Sequence, residues 1–338
     1  MSGEGALLEE EIRNDSFIVF DHESEVQKLR GRWELASVLN FLSVFEPVLG
    51  NDFNLTAEEI EMGLIEANNS NTQLHIALLK GIPPVSKTLD RPDVWVTVLC
   101  KKLSEWWPWV AYGDIPLTAG NGEEVYKYRE LDPTCRLLIL KALCEIRVDQ
   151  DDTVSYINDS LKQKTKLPSF RKEKLGEHAN GTSYWYDGNA ILGYRLYKEI
   201  SKMNSLRKMR GKACSNLPVI YSHWETVATN LEEFQKVSTE LLSSKAFLEI
   251  AIGKTVETDA IPVVKNFQKK KERALKRKKR EEMLLSDLRN SSGAVRTTRS
   301  CRSRRPISYT FDEYDRAINE AIQLRKETST EEKQKWYF

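Results

Sequence analysis

Few residues in this 338-residue chain have a type and spacing that could carry covalent or metal chemistry. Gly253-Lys254-Thr255 matches the end of a phosphate-binding loop, but that loop needs a glycine five positions before Gly253, where Leu248 stands. The histidines, His22, His75, His178 and His223, are scattered, and no i, i+4 spacing sets two imidazoles on one helical face for a metal. His75 falls within an apolar helical pattern and reads as a satisfied core or boundary residue. Asp151 and Asp152 open a helix, where capping accounts for their charge. The five cysteines are odd in number and contain no C-x-x-C pair, which supports neither a zinc module nor a disulfide framework and fits a reducing compartment. The chain therefore reads as a binding protein with no catalytic residue, metal ligand or cofactor.

The chemistry that remains is ionic. The balance of 51 Lys and Arg against 50 Asp and Glu hides a strong asymmetry along the chain. Residues 1–95 carry 17 acidic and 7 basic side chains, whereas residues 245–305 carry 18 basic and 7 acidic. Lys269, Lys270, Lys271, Arg273, Lys276, Arg277, Lys278, Lys279 and Arg280 are interrupted by only one acid, Glu272. Such a run suits a phosphate backbone or a nuclear import receptor; if about six of these charges met phosphates, log K would fall with log salt at a slope of roughly −5. Downstream, Arg296, Arg299, Arg302, Arg304 and Arg305 form a cluster whose guanidinium forks could hold DNA or an acidic protein surface such as that of a histone core. Tyr309, Phe311 and Tyr314 follow, either as anchors of a short linear motif or as the start of a terminal helix folded on the core.

The elements that must position these groups read as mainly helical. Leu35, Val38, Leu39, Leu42 and Phe45 recur at helical spacing until Pro47 and Gly50. Thr56 is placed to cap a helix through Ile60, Leu64 and Ile65. Leu74 to Leu79 mark a third helix, closed by Gly81 and Pro83-Pro84. A further helix from Val94 ends in Trp106-Trp-Pro-Trp109, whose rings either stack on bases or bury the helix end. Pro133 to Val148 is the clearest amphipathic helix, and another runs from Val154 to Leu161. In Leu175 to Tyr186, two glycines five apart precede a Tyr-Trp pair and suit a tight turn feeding a strand or packed edge. The basic stretch from Leu196 to Lys212 reads as a charged surface, facing DNA or solvent. Trp224 to Leu242 is helical by spacing, and Phe247 to Ile252 is apolar enough to pack on it. No 18-residue apolar run exists, and Glu9, Glu10 and Glu11 stand where a secretory signal would be apolar. A soluble intracellular protein with no membrane partner is expected.

These residues resemble a known family. Trp33, Leu35, Leu39, Phe41, Leu42, Phe45, Leu64 and Leu74-His-Ile-Ala-Leu-Leu79 look like the DDT domain, an all-helical module of chromatin remodelling factors. Tyr128-Arg-Glu-Leu131 with Arg136 to Cys144 resembles the first WHIM motif. Leu175-Gly176, Gly181 and Tyr184-Trp185 resemble the second, and Trp224-Glu-Thr-Val with Leu231 and Phe234 the third. His178 stands where an acidic residue is common in the second motif, and the Cys/His pattern of a PHD finger is absent. The compact form looks most like the short DDT-domain proteins of plants.

The resemblance implies an all-α scaffold with a small turn or strand element near 176–186 and a basic, partly disordered tail. Its parts would be an acidic leader (1–24), a DDT-like domain (25–93) and a WHIM-like helical region (94–245; motifs at 126–161, 175–200 and 224–242). A basic helical segment (246–290) and an arginine-rich, aromatic tail (291–338) would follow. It further implies a nuclear, non-catalytic partner of an ISWI-type ATPase that docks on the SLIDE region, contacts linker DNA and helps set nucleosome spacing. Trp33, Leu39, Phe41, Leu138 and Trp185 are the candidate partner-binding residues, with core positions as the alternative for each. The rival reading is a nucleosome- or DNA-binding transcriptional regulator that acts through its basic tail without an ATPase.

Overall fold

The computed structural model describes residues 22–50, 54–118, 120, 122–163, 165, 169–170, 172–177, 181–204 and 219–291. Helix α1 (residues 22–30) is followed by α2 (Trp33–Val44), α3 (Glu46–Leu49), α4 (Ala57–Glu66), α5 (Asn69–Lys80) and α6 (Val94–Val110). Then come α7 (Glu124–Glu130), α8 (Pro133–Val148) and α9 (Asp151–Lys162). Local chemistry sets several of these starts. Thr56 closes a capping box with Glu59, its hydroxyl accepting from the Glu59 amide at 3.2 Å while the Glu59 carboxylate accepts from the Thr56 amide at 2.7 Å. The Asn68 side-chain oxygen accepts from the amides of Ser70 and Asn71, and Asp132 with Pro133 opens α8. The apolar faces of α1, α2 and α4 to α8 share one hydrophobic core that extends from Leu29 to Leu192.

Two residues, Arg136 and Tyr128, act as locks in that core. The Arg136 guanidinium, 5 % exposed, donates to the carbonyls of Leu64, Ile65 (2.8 Å) and Arg129 (3.0 Å). It thus satisfies carbonyls in the last turns of α4 and α7, which lack intrahelical donors and sit at the negative helix ends. Tyr128 lies in a triangle of rings, 5.0 Å from Trp95 and 5.6 Å from His75 between centroids. Its hydroxyl accepts from the Asn71 side-chain amide at 2.7 Å and faces His75 Nε2 at 3.4 Å, while His75 Nδ1 donates to the Asn71 carbonyl at 2.8 Å. His75 is therefore a satisfied core residue. Tyr128→Phe would strip buried donors and acceptors of a partner and is expected to cost about 1–3 kcal/mol in urea unfolding.

After α9 the architecture turns to strands: β1 (Lys174–Glu177), β2 (Thr182–Asn189), β3 (Gly193–Asn204) and β4 (Val219–Ala228) form an antiparallel sheet in that order. The described residues are mostly helical, as expected, but the strand element expected near 176–186 is part of a four-stranded sheet, which corrects the all-α expectation. The sheet also places the Leu196 to Lys212 stretch, as far as Asn204, in β3. Trp224 lies in β4, and only Leu231–Leu242 is helical, as α10. Val219-Ile-Tyr and Thr226-Val are β-branched and aromatic, and Asn230 caps α10, so the apolar spacing that runs from Val227 to Phe234 crosses a boundary between two elements. The glycines of the opening motif have definite tasks. A Cβ at Gly176 would come within 2.7 Å of Ile252, and Gly181, at φ +83°, lies against the Ser201 carbonyl.

The sheet has two differently used faces, as the period of two requires. Tyr184, Leu196 and Ala228 pack against Phe234 and Leu241 of α10, Ile252 of α11 (Phe247–Thr255), and Val264 of α12 (Ile261–Ser291). A short π-helical turn, Val256–Ala260, joins α11 to α12. Gly253 of the Gly-Lys-Thr triplet is buried in α11, where its carbonyl accepts from the Ser238 hydroxyl at 3.1 Å; it is a helix-packing glycine. The opposite face looks toward the helices. Arg195 meets Glu61 at 2.5 Å, and Glu61 also accepts from Arg30 at 2.9 Å, which ties α1, α4 and β3 together. The tip of the β2–β3 hairpin inserts Leu192 into the helical core, and the Leu192 carbonyl accepts from the Ala57 amide at 3.1 Å. Among the described residues, no helix is long and apolar enough to cross a membrane.

Candidate functional site

A cleft of about 440 Å³ opens between α2 and the exposed part of the helix-facing sheet surface. Trp33 stands at its α2 side, half of its surface in solvent. Its floor is built diagonally across three strands. Trp185 of β2 pairs in register with Tyr197 of β3, and Glu199 of β3 with Trp224 of β4. Alternation brings these side chains to one face, with Tyr197 and Trp224 centroids 5.3 Å apart and Trp185 and Trp224 6.3 Å apart. Tyr197 is buried, and burial pushes its phenol well above the ordinary range, so it stays neutral.

Two carboxylates edge the cleft in different states. Asp187 is neutralised by Lys172 at 2.7 Å and accepts from the Asn40 side-chain amide at 2.9 Å. Glu199 accepts from the Trp185 indole at 3.2 Å and the Ser222 hydroxyl at 3.1 Å, and no ion pair reaches it among the described residues. Lysines of the chain lie over two of the indoles, Lys141 at 5.1 Å from the Trp33 ring and Lys174 at 5.6 Å from the Trp185 ring.

The sequence-derived partner residues thus separate. Trp33 and Trp185 meet at the cleft, and Leu138 is half-buried on α8. Leu39 and Phe41 are buried at 4 % and 6 % exposure, so they hold the core and offer no partner surface, the alternative their spacing also allowed. The tryptophan cluster divides as well: Trp107 is buried, with its indole donating to the Gly113 carbonyl at 2.9 Å, while Trp109 is 83 % exposed. Lys269 to Arg280 lie on α12 with every side chain exposed. His178, Arg296, Arg299, Arg302, Arg304, Arg305 and the Tyr309–Tyr314 segment lie outside the described residues. Tyr197, Glu199 and Asp187 escaped the sequence reading because their convergence depends on the register of β2, β3 and β4, which no local spacing shows.

The buried thiols are unsuited to nucleophilic work. Burial, with Glu124 nearby, raises Cys100 to about 11, and burial raises Cys144 further. Among the described residues, no cluster of three or more His, Cys, Asp or Glu side chains is arranged to hold a metal.

Comparison with known proteins bears on this architecture directly. The DDT domain-containing protein DDR4 of Arabidopsis thaliana is 46 % identical over 298 residues, 88 % of this chain. The chain is homologous to DDT domain-containing proteins. It spans 39 % of the length of that relative, and 145 of its residues align at 26 % identity with 9 % of human Remodeling and spacing factor 1. No family model matches this DDT homologue, and no solved structure matches it significantly. Tyr128 and Arg136 lie in the 126–161 segment, and the cleft floor is drawn from β2, β3 and β4, so it spans residues 182–228.

Proposed function

We propose that this protein is a nuclear, non-catalytic accessory subunit of an ISWI-type chromatin remodelling complex. In this reading it docks on the C-terminal SLIDE region of the ATPase and contributes to nucleosome spacing and transcriptional regulation. The observation that carries the proposal is the likeness to a DDT domain-containing protein over 88 % of the chain, with the weaker likeness to a human factor named for remodelling and spacing. The exposed surface of Trp33, with Trp185 and the half-buried Leu138, supplies an aromatic docking face. Lys269 to Arg280 supply a polyanion contact, to linker DNA or to an import receptor, from a helix with no apolar face of its own there. Arg299, Arg302, Arg304 and Arg305 would add a contact to DNA or to an acidic histone surface.

Calorimetry of the full chain against the HAND-SANT-SLIDE region of an ISWI ATPase, at two salt concentrations, tests the docking. Stoichiometric binding at about 1 μM or tighter is expected. Removing residues 269–305 then separates docking from the rival, ATPase-independent reading. The cut falls beyond Phe267, whose ring packs 5.5 Å from Tyr194, so the α12 contact with the sheet is retained. ATPase binding should survive the deletion, whereas the salt slope of DNA binding should shrink from roughly −5 toward zero. Loss of ATPase association from the still-folded deletion protein would favour the rival.

A further inference from the structure

We propose that the cleft between α2 and the sheet binds a methylated ammonium group, the head of a di- or trimethyllysine side chain on a partner protein. Three observations converge on that class of ligand. The first is the wall. Trp33, Trp185, Tyr197 and Trp224 bring four π-faced rings to one concavity, and rings of this kind attract cations through their quadrupoles. Two of them already hold the chain's own ammonium groups at 5.1 Å and 5.6 Å, and neither lysine lines the cleft.

The second is charge. Lys172 cancels Asp187, which leaves Glu199 as the uncompensated charge of the lining, so the cleft favours a cation. The third is the supply of hydrogen-bond acceptors. Each oxygen of Glu199 already accepts one hydrogen bond, from Trp185 and from Ser222, and Asp187 is occupied by Lys172 and Asn40, which leaves few carboxylate lone pairs for new donors. A guanidinium brings five N–H donors and a primary ammonium three, and burying them unpaired is costly. A trimethylammonium brings none, yet keeps the charge that the rings and Glu199 attract. The cleft lies over the face of β2, β3 and the edge strand β4 and is lined by their side chains, so the occupant enters as a side chain.

This inference shares a face with the docking reading but does not depend on which protein docks there. The probes are Nα-acetyl-trimethyllysine methylamide, the unmodified lysine counterpart, and the neutral tert-butyl analogue of the same shape. They are titrated into the full chain while the tryptophan indole N–H resonances are followed by NMR. Saturable shifts are expected for the trimethyl probe, with affinity about tenfold above both others. Trp224→Ala should abolish the preference. Glu199→Gln, which keeps hydrogen-bonding capacity at that position and tests the charge alone, should reduce it. Should Trp224→Ala fail to fold by near-ultraviolet circular dichroism, the Glu199→Gln result decides. Equal affinity for the three probes, no saturable shift, or a preference undiminished in Glu199→Gln would overturn the proposal. Failure of the probes alongside intact ATPase binding overturns only this inference; the reverse pattern overturns only the docking.

Discussion

Glu61→Gln is expected to cost about 3–5 kcal/mol of folding stability. Glu61 is 1 % exposed and holds two cations, Arg195 of β3 at 2.5 Å and Arg30 of α1 at 2.9 Å. Without the carboxylate, Arg195 stays buried with the half-exposed Glu58, 3.7 Å away, as its remaining counter-charge among the described residues. Arg30, with 18 % of its side chain exposed, can turn toward water more readily. A buried cation stripped of its partner is costly because desolvation is no longer offset, whereas replacing both partners with apolar groups removes the cost along with the gain. The double change Glu61→Leu/Arg195→Met should therefore recover most of the loss. Urea unfolding of the three proteins checks this; a single-mutant cost below about 1 kcal/mol would show that the pair does not hold the sheet to the helices.

The second large effect is acid-dependent. Burial holds His75 down to about 4, against the opposing pull of its hydrogen bond to the Asn71 carbonyl. The unfolded chain titrates this histidine near its ordinary value of about 6.5. Above that pH neither state binds the proton and stability is fully present. As pH falls from about 6.5 toward 4, the unfolded state takes up a proton that the native state refuses, and about 3 kcal/mol is lost by pH 4. Asp152, held low chiefly by its hydrogen bonds from Arg147, adds a loss of its own at the acid end. That contribution is common to the parent and to His75→Gln, so the difference between their stability profiles isolates the imidazole. The variant should show a flatter profile between pH 6.5 and 4, and parallel profiles would remove His75 as the cause.

Much of the helical part was legible because each signal there is local. Thr56 and Glu59 lie three residues apart, and their reciprocal hydrogen bonds are written in that spacing. Leu39 and Phe41 were visible as apolar positions, but whether they face a core or a partner depends on α8, whose sequence lies about a hundred residues away. The sheet was misread for a related reason. Its strands mix polar and aromatic residues on two covered faces, so Trp224 and Phe234 fit a helical step although one lies in a strand and the other in a helix. Arg195 and Glu61 gave no sequence signal at all, since their pairing spans 134 positions. The Leu175 to Tyr186 stretch was legible as a turn feeding a strand, whereas the roles of Tyr128 and Arg136 depend on distant partners. Gly176, Gly181, Tyr128 and Arg136 are each fixed by a close approach or by buried polar groups that a different side chain would disturb.

The hairpin tip carries a consequence for how this molecule can be divided. With Leu192 seated among the helices and its carbonyl engaging the first amide of α4, the strands complete a socket that the helices leave open. A gene fragment that ends before the hairpin would deliver helices with an apolar hole and an unclosed helix start. Recombination or engineering that moves the helices to a new chain must therefore carry the hairpin with them as one cassette.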